Sequence, residues 1–265
     1  LGDVYKRQII QPAASSRQKE TLMNNILSEK EYQKYILKKL AASGYEVQPA
    51  DHYDRLFAVS RPELMQFLET TQPDEMESLK KIYKEKTEEV IVSAINAEET
   101  KKRGSRLDVL KHGVEIANVP LKLMYAKPAT TYNKELNKLY NENIFSVSEE
   151  VWVSDEERID LVVFLNGLAI MAFELKCNAA GQNYENAILQ YRTERNPKTR
   201  LFRFKAGVLV SFAMDLEEVY MTTKLDGEAT FFLPFNMGKG EGINTGAGNP
   251  VLKAVSYTHL TLPTN

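Results

Sequence analysis

Two apolar runs, Ile159–Leu165 and Leu168–Leu175, flank an Asn166-Gly167 dipeptide, and they constrain the fold more than any other stretch of the chain. Asn-Gly between two β-prone runs is a strong hairpin signal. Both runs are apolar on both of their faces, the pattern of central strands covered on each side. Charge enters only at the open end, as Asp160 on the first strand and Glu174, followed by Lys176, on the second.

Whether these three groups meet depends on register, because side chains alternate faces along a strand. A two-residue Asn166-Gly167 loop sets Asp160 opposite Phe173 and sends Glu174 to the other face. A three-residue loop, Leu165-Asn166-Gly167, sets Asp160 opposite Ala172 and puts it on one face with Glu174 and Lys176. The three-residue form is expected, since it gives three ionisable groups on a greasy hairpin a common purpose.

That purpose is chemical. Burying two carboxylates side by side costs on the order of several kcal/mol per charge unless something compensates. A divalent cation compensates, and Mg²⁺ takes one or two carboxylates plus water and phosphate oxygens. A lysine on the same face orients a water nucleophile or offsets phosphate charge, as metal-assisted phosphodiester hydrolysis requires. A Glu-x-Lys triplet alone is common by chance; its placement across an apolar hairpin from an Asp is not. Arg106-Leu107-Asp108 echoes Arg158-Ile159-Asp160, but no Glu-x-Lys follows it, so it reads as structural.

Around the hairpin the pattern alternates helix and strand. Tyr32, Ile36 and Leu40 recur every four residues in a helix over about Glu20–Ser43, ended by Gly44. A second helix follows Pro62. A third, longer one runs from Pro73 to Gly104 on Met76, Leu79, Ile82, Tyr83, Val90, Ile91 and Ala94. Leu107–Lys111 and Val114–Leu123 read as a hairpin around His112-Gly113. A short helix at Asn133–Asn141 and a strand at Ile144–Val153 lead into the central hairpin. Beyond it come a helix over about Asn183–Arg195, stopped by Pro197, and strands at Ala206–Phe212 and Glu218–Lys224. The fold class is α/β, a central mixed sheet flanked by helices.

One domain is expected over 20–254, with a tail over 1–19 whose first residues, Leu1–Gln8, look appended. A second tail over 255–265 reads as foreign to the domain. A net charge of −2 does not suit a free-standing DNA-coating protein, so any DNA contact needs a local patch or a partner. Three scattered histidines give no zinc spacing, and the single Cys177 suits a reducing cytoplasm. No apolar run approaches the roughly 18 residues that span a bilayer.

Further pieces accompany the hairpin. Glu29 and Glu31 sit on the first helix, which ends in Gly44-Tyr45. Gln190-Tyr191 lies on the helix after Lys176, and a strand reads Gly207-Val208-Leu209-Val210-Ser211. Together with Asp160, Asn166-Gly167 and Glu174-Leu175-Lys176, these resemble the PD-(D/E)xK nuclease superfamily. More closely, residues 20–254 resemble the N-terminal endonuclease domain of the restriction (HsdR) subunit of type I restriction-modification enzymes. Ile159 stands where that family usually has Pro. Gln190 and Tyr191 are adjacent where Gln-x-x-x-Tyr is frequent, with Glu194 four residues after Gln190.

The resemblance implies a restriction-endonuclease-like core and a type I site-specific deoxyribonuclease module. It implies Mg²⁺, or Mn²⁺, bound by Asp160, Glu174 and the carbonyl of Leu175, with Lys176 serving the hydrolytic water and Gln190 near metal-bound substrate. Glu29 or Glu31 would add a further acid. Arg192, Arg195 and Arg200, in a run with Lys198, Arg203 and Lys205, would hold phosphates of double-stranded DNA. The methyltransferase and specificity subunits of a restriction-modification complex would be partners. ATP would serve only a motor that lies beyond this segment, since Gly238–Gly248 lacks the Lys-Ser/Thr end of a phosphate-binding loop. The rival expectations are a non-catalytic docking domain of the same fold and a stand-alone repair or junction nuclease.

Overall fold

The computed structural model describes residue 26 and residues 28–235. The tails expected over 1–19 and 255–265, the first turns of the helix expected from Glu20, and the Gly238–Gly248 loop lie outside the described residues. Helix α1, Glu29–Ala42, starts at Ser28, whose side chain caps the Glu31 N–H. It buries Tyr32, Gln33, Ile36, Leu37 and Leu40. Short strands β1 (Glu46–Val47), β2 (Tyr53–Asp54) and β3 (Val59–Ser60) follow.

Helix α2 is Arg61–Thr71 and α3 is Pro73–Tyr83, each with proline in its first turn. The expected long helix breaks after Tyr83: Lys84 takes φ 52° and a short 3₁₀ turn, Lys84–Lys86, precedes α4, Thr87–Thr100. The reason is visible in the apolar stripe, which is empty between Tyr83 and Val90. No apolar side chain there ties one straight helix to the core; the buried Thr87 opens the next helix instead.

The hairpin expected at Leu107–Leu123 is also corrected. Arg106–His112 is a helix, α5, whose first turn is capped by Ser105 Oγ accepting from the Asp108 N–H at 3.0 Å. Gly113, at φ 79°, is its C-terminal stop rather than a hairpin turn. The actual hairpin pairs β4 (Val114–Ile116) with β5 (Val119–Leu121). Helix α6 (Lys134–Asn141), strands β6 (Phe145–Trp152), β7 (Arg158–Leu165) and β8 (Leu168–Leu175), and helix α7 (Tyr184–Thr193) fall close to expectation. The strand expected from Ala206 begins later, as β9 (Val210–Met214), and β10 (Val219–Thr222) and β11 (Leu233–Pro234) end the described chain.

The main sheet runs β1-β6-β7-β8-β9-β10-β11, with β3 also joining the start of β8. It is mixed: β1–β6 and β8–β9 are parallel, and the other neighbours along this order are antiparallel. One face packs Leu161, Val163 and Phe173 with α1 to α5; the other packs Val162, Phe164 and Ala172 with Ala187 and Tyr191 of α7.

The β7–β8 loop differs from expectation in an informative way. Leu165 pairs with Leu168, so the loop has two residues, and Asn166 (φ 51°) and Gly167 (φ 79°) both take the positive φ of a primed turn. A β-bulge then intervenes: Phe164 pairs with Ala169, but Val163 pairs with Met171, leaving Ile170 as an extra residue. Beyond the bulge Leu161 pairs with Phe173, a register that sets Asp160 opposite Glu174 rather than Ala172. The shared face is reached, by one inserted residue instead of a longer loop.

The turn and bulge are held from outside. Asn166, fully buried, accepts from the Ile144 N–H at 2.7 Å and donates to Leu123 O and Asn143 Oδ1. A Cβ on Gly167 would lie 2.4 Å from Ser60 O, so glycine is required there. Arg106, 0% exposed, pairs with Glu99 and donates to the carbonyls of Ala58, Ala169 and Ala206. Replacing Arg106 by Met leaves those buried carbonyls without their donor. The variant is expected to lose about 3–5 kcal/mol of unfolding free energy, the range for breaking a buried charge network. Urea unfolding measures it, and a loss under about 1 kcal/mol would show that the network is a spectator.

Candidate active site

Asp160 ends the apolar part of β7 and Glu174 lies opposite it on β8, on the face covered by α7. The Asp160 carboxylate accepts from the Leu175 N–H at 2.7 Å, which fixes it across the two strands. Gln33 of α1, 4% exposed, donates to the Asp160 carbonyl at 3.3 Å and to Glu149 Oε2 at 3.2 Å. Glu174 is 0% exposed. Its Oε1 accepts from Arg195 Nε at 2.7 Å, while its Oε2 is shielded from water and has no hydrogen-bond partner.

Lys176, 8% exposed, reaches Glu29 Oε2 at 3.3 Å. Of the two first-helix acids, Glu29 therefore approaches the carboxylates. Glu31 is exposed and engages the hydroxyl of Ser28.

Burial, opposed by the Leu175 N–H, raises the Asp160 carboxyl from 3.8 to about 6. Burial, and then the Asp160 charge, raise Glu174 from 4.5 to about 8, with Arg195 acting in the opposite direction. Tyr191, wholly buried beside Glu174 and Arg195, has its hydroxyl pushed up by burial.

The basic run after α7 is arranged differently from expectation. Arg192 is half-buried and donates to Thr230 O at 3.1 and 2.9 Å, tying α7 to a loop. Arg195 is part of the carboxylate cluster. Arg200 is turned inward onto Glu99 and Asn96. Lys198, Arg203 and Lys205 remain exposed. Gln190 is half-buried, with its Oε1 shielded and without a hydrogen-bond partner.

Sequence reasoning missed Gln33 altogether and gave Arg195 a phosphate-binding role in place of the one it takes beside Glu174. Gln33 had a signal, a polar residue one position off the Tyr32-Ile36-Leu40 stripe and four before Leu37. Arg195 had none, because a cation in a basic run looks like any solvated residue.

Among the described residues, no group of three or more His, Cys, Asp or Glu side chains is placed to hold a metal ion. The donor set is two carboxylates, hard oxygens of which Glu174 Oε2 has no hydrogen-bond partner. Such a set suits Mg²⁺ or Mn²⁺ completed by water and substrate, not a closed zinc or calcium cage. The orphan Oε2 of Glu174 fits that group.

Because both carboxyls titrate above their ordinary values, the folded chain holds protons that the unfolded chain has released. Stability therefore falls as pH rises from about 4 through about 6 for Asp160, and on to about 8 for Glu174. In chelator-treated buffer, Asp160→Asn is expected to raise the urea midpoint clearly at pH 8 and little at pH 4. An equal change at both pH values would contradict the buried-charge account.

Comparison with known families adds an independent observation. The model for the type I restriction enzyme R protein N terminus matches residues 26–230, while comparison with curated proteins returned no match. The matched region contains the central hairpin, α7 and the whole cluster of Glu29, Asp160, Glu174, Lys176 and Arg195. With its mixed sheet between helical layers the fold is restriction-endonuclease-like, and the chain belongs to the family of type I restriction enzyme R protein N-terminal domains.

Proposed function

We propose that this domain hydrolyses DNA phosphodiesters with a divalent cation, as the cutting module of a type I restriction enzyme. The observation that carries the reading is the pairing of half-buried Asp160 with fully buried Glu174, whose Oε2 lacks a partner. Two juxtaposed carboxylates are costly in isolation and become useful when a cation neutralises them. Asp160 and Glu174 would hold Mg²⁺ or Mn²⁺, with the Leu175 carbonyl as a further donor. When bound, the cation lowers the pKa of coordinated water and neutralises charge that develops on the phosphate.

The chain's own residues supply the rest. Leu175 N–H and Gln33 keep Asp160 in place across the sheet. Lys176 projects from the end of β8 with Glu29 as its counter-ion, which holds the ammonium in place to orient a water or meet a phosphate oxygen. Burial of this cluster strengthens each of these interactions.

The substrate is double-stranded DNA. The 196–206 loop runs from Arg195, at Glu174, to Ala206, whose carbonyl meets Arg106 near Ala169. It carries Lys198, Arg203 and Lys205 exposed to solvent. These three, rather than Arg192 and Arg200, are the cations available to phosphates. The net charge of −2 agrees with recognition delegated to methyltransferase and specificity subunits in a cytoplasmic complex.

Asp160→Ala and Lys176→Ala, placed in a complete R protein assembled with its partners, are each expected to lower cleavage by about 10²-fold or more. DNA binding should persist, chelation of Mg²⁺ should abolish cutting, and Mn²⁺ should restore it. If both variants still cut DNA at the unsubstituted rate, this reading is wrong.

A further inference from the structure

Arg195 looks in sequence like one more surface cation, yet it is 8% exposed and its Nε lies 2.7 Å from Glu174 Oε1. The backbone anchors it on both sides. Its own N–H donates to Gln190 O at 3.2 Å, and the next residue, Asn196, donates its N–H to Glu157 Oε1 at 3.0 Å. It emerges just past the C-terminal end of α7, where unpaired helix carbonyls favour a cation. Tyr191, four residues earlier and 0% exposed, is held by the rings of Phe202 and Phe232 and lies beside both Arg195 and Glu174. The guanidinium therefore sits in a prepared place.

The consequence falls on Glu174. A carboxylate at the end of two methylene groups has a broad terminal torsion, so burial alone does not decide where each oxygen points. Here one oxygen is taken and the other is bare. A guanidinium donor is directional in a way an ammonium is not, because its N–H groups are fixed in a plane. As a source of stability such a pair is poor, since desolvation offsets much of the attraction. Its effect is to orient.

We propose that Arg195 is a positioning residue: by holding Glu174 Oε1 it turns Oε2 toward the divalent cation, without itself contacting the substrate. This inference rests on the metal-dependent reading above and adds a residue that determines how well the cation is held. It also replaces the phosphate-binding role that the basic run suggested for Arg195.

The test is Mn²⁺ titration of the chain by calorimetry, with far-ultraviolet circular dichroism to confirm folding. Arg195→Met is expected to weaken Mn²⁺ binding by roughly 10–100-fold, the usual cost of removing a group that orients a metal ligand. Arg195→Lys should recover only part of that loss. Arg192→Met, which removes a tie to Thr230 at the same end of α7, should lower the thermal midpoint and leave Mn²⁺ affinity unchanged. A folded Arg195→Met chain that binds Mn²⁺ as the unsubstituted chain does overturns the inference and leaves the metal reading standing. If Arg195→Met does not fold, Arg195→Lys decides, and unchanged affinity there overturns it equally. Mn²⁺ binding that is absent, or is unaffected by Asp160→Ala, removes the metal reading and this inference together.

Discussion

One extra residue in a strand decides whether this domain has a site at all. With a two-residue turn and an unbroken ladder, Asp160 and Glu174 would project to opposite faces of the sheet. Ile170 shifts the register between Val163 and Phe164, and the two carboxylates come to lie across from each other. A bulge disrupts the ladder locally, so its backbone groups need other partners. Arg106 supplies one to Ala169 O, and the Leu209 N–H supplies one to Ile170 O at 2.9 Å. The same guanidinium holds the carbonyls of Ala58 and Ala206, so the segments entering β3 and leaving the 196–206 loop converge on the bulge. A buried cation on α5 thus preserves the register on which a pair of anions at the far end of β8 depends.

The legible and illegible parts of this chain divide along a physical line. Asp160, Glu174 and Lys176 could be singled out because they interrupt strands that are otherwise apolar on both faces, and the sheet does bring them together. Their common face could be foreseen from chemistry, but the device that produces it could not, since a turn one residue longer and a bulge one residue wide alter parity identically. Leu107–Lys111, inside the helix Arg106–His112, was misread as a strand because so few residues carry too little periodicity to separate strand from helix. Ser105 three residues before Asp108, and Gly113 after His112, were the better signals, being chemical rather than periodic. The long helix failed for a similar reason: the empty stretch between Tyr83 and Val90 outweighs the good helix formers that fill it.

Charge is where sequence reasoning lost most. Six cations over 192–205 suggest a basic surface, but Arg192, Arg195 and Arg200 turn inward to a carbonyl, the Glu174 carboxylate and the Glu99 cluster. Arginine lends itself to this because its guanidinium is weakly hydrated and offers several directed donors, so burial costs it less than it costs lysine. The lysines of the run, Lys198 and Lys205, stay exposed. Residue type within a basic run therefore separates inward from outward cations better than position does, with Arg203, which is exposed, as the exception.

The balance of burial and charge also explains how the cluster is divided between folding and chemistry. Two carboxylates raised to about 6 and about 8 are a destabilising element at neutral pH in the absence of a counter-charge. Lys176 is partly committed to Glu29, and Arg195 reaches only Glu174 Oε1. Neither cation makes a hydrogen bond or ion pair that bridges Asp160 to Glu174. The centre is thus left under-neutralised, and a small divalent ion would gain there what the protein's own cations do not supply. That deficit is the physical reason for reading the cluster as a site rather than as a buried salt-bridge network. A network built for stability would have paired Glu174 Oε2 as well.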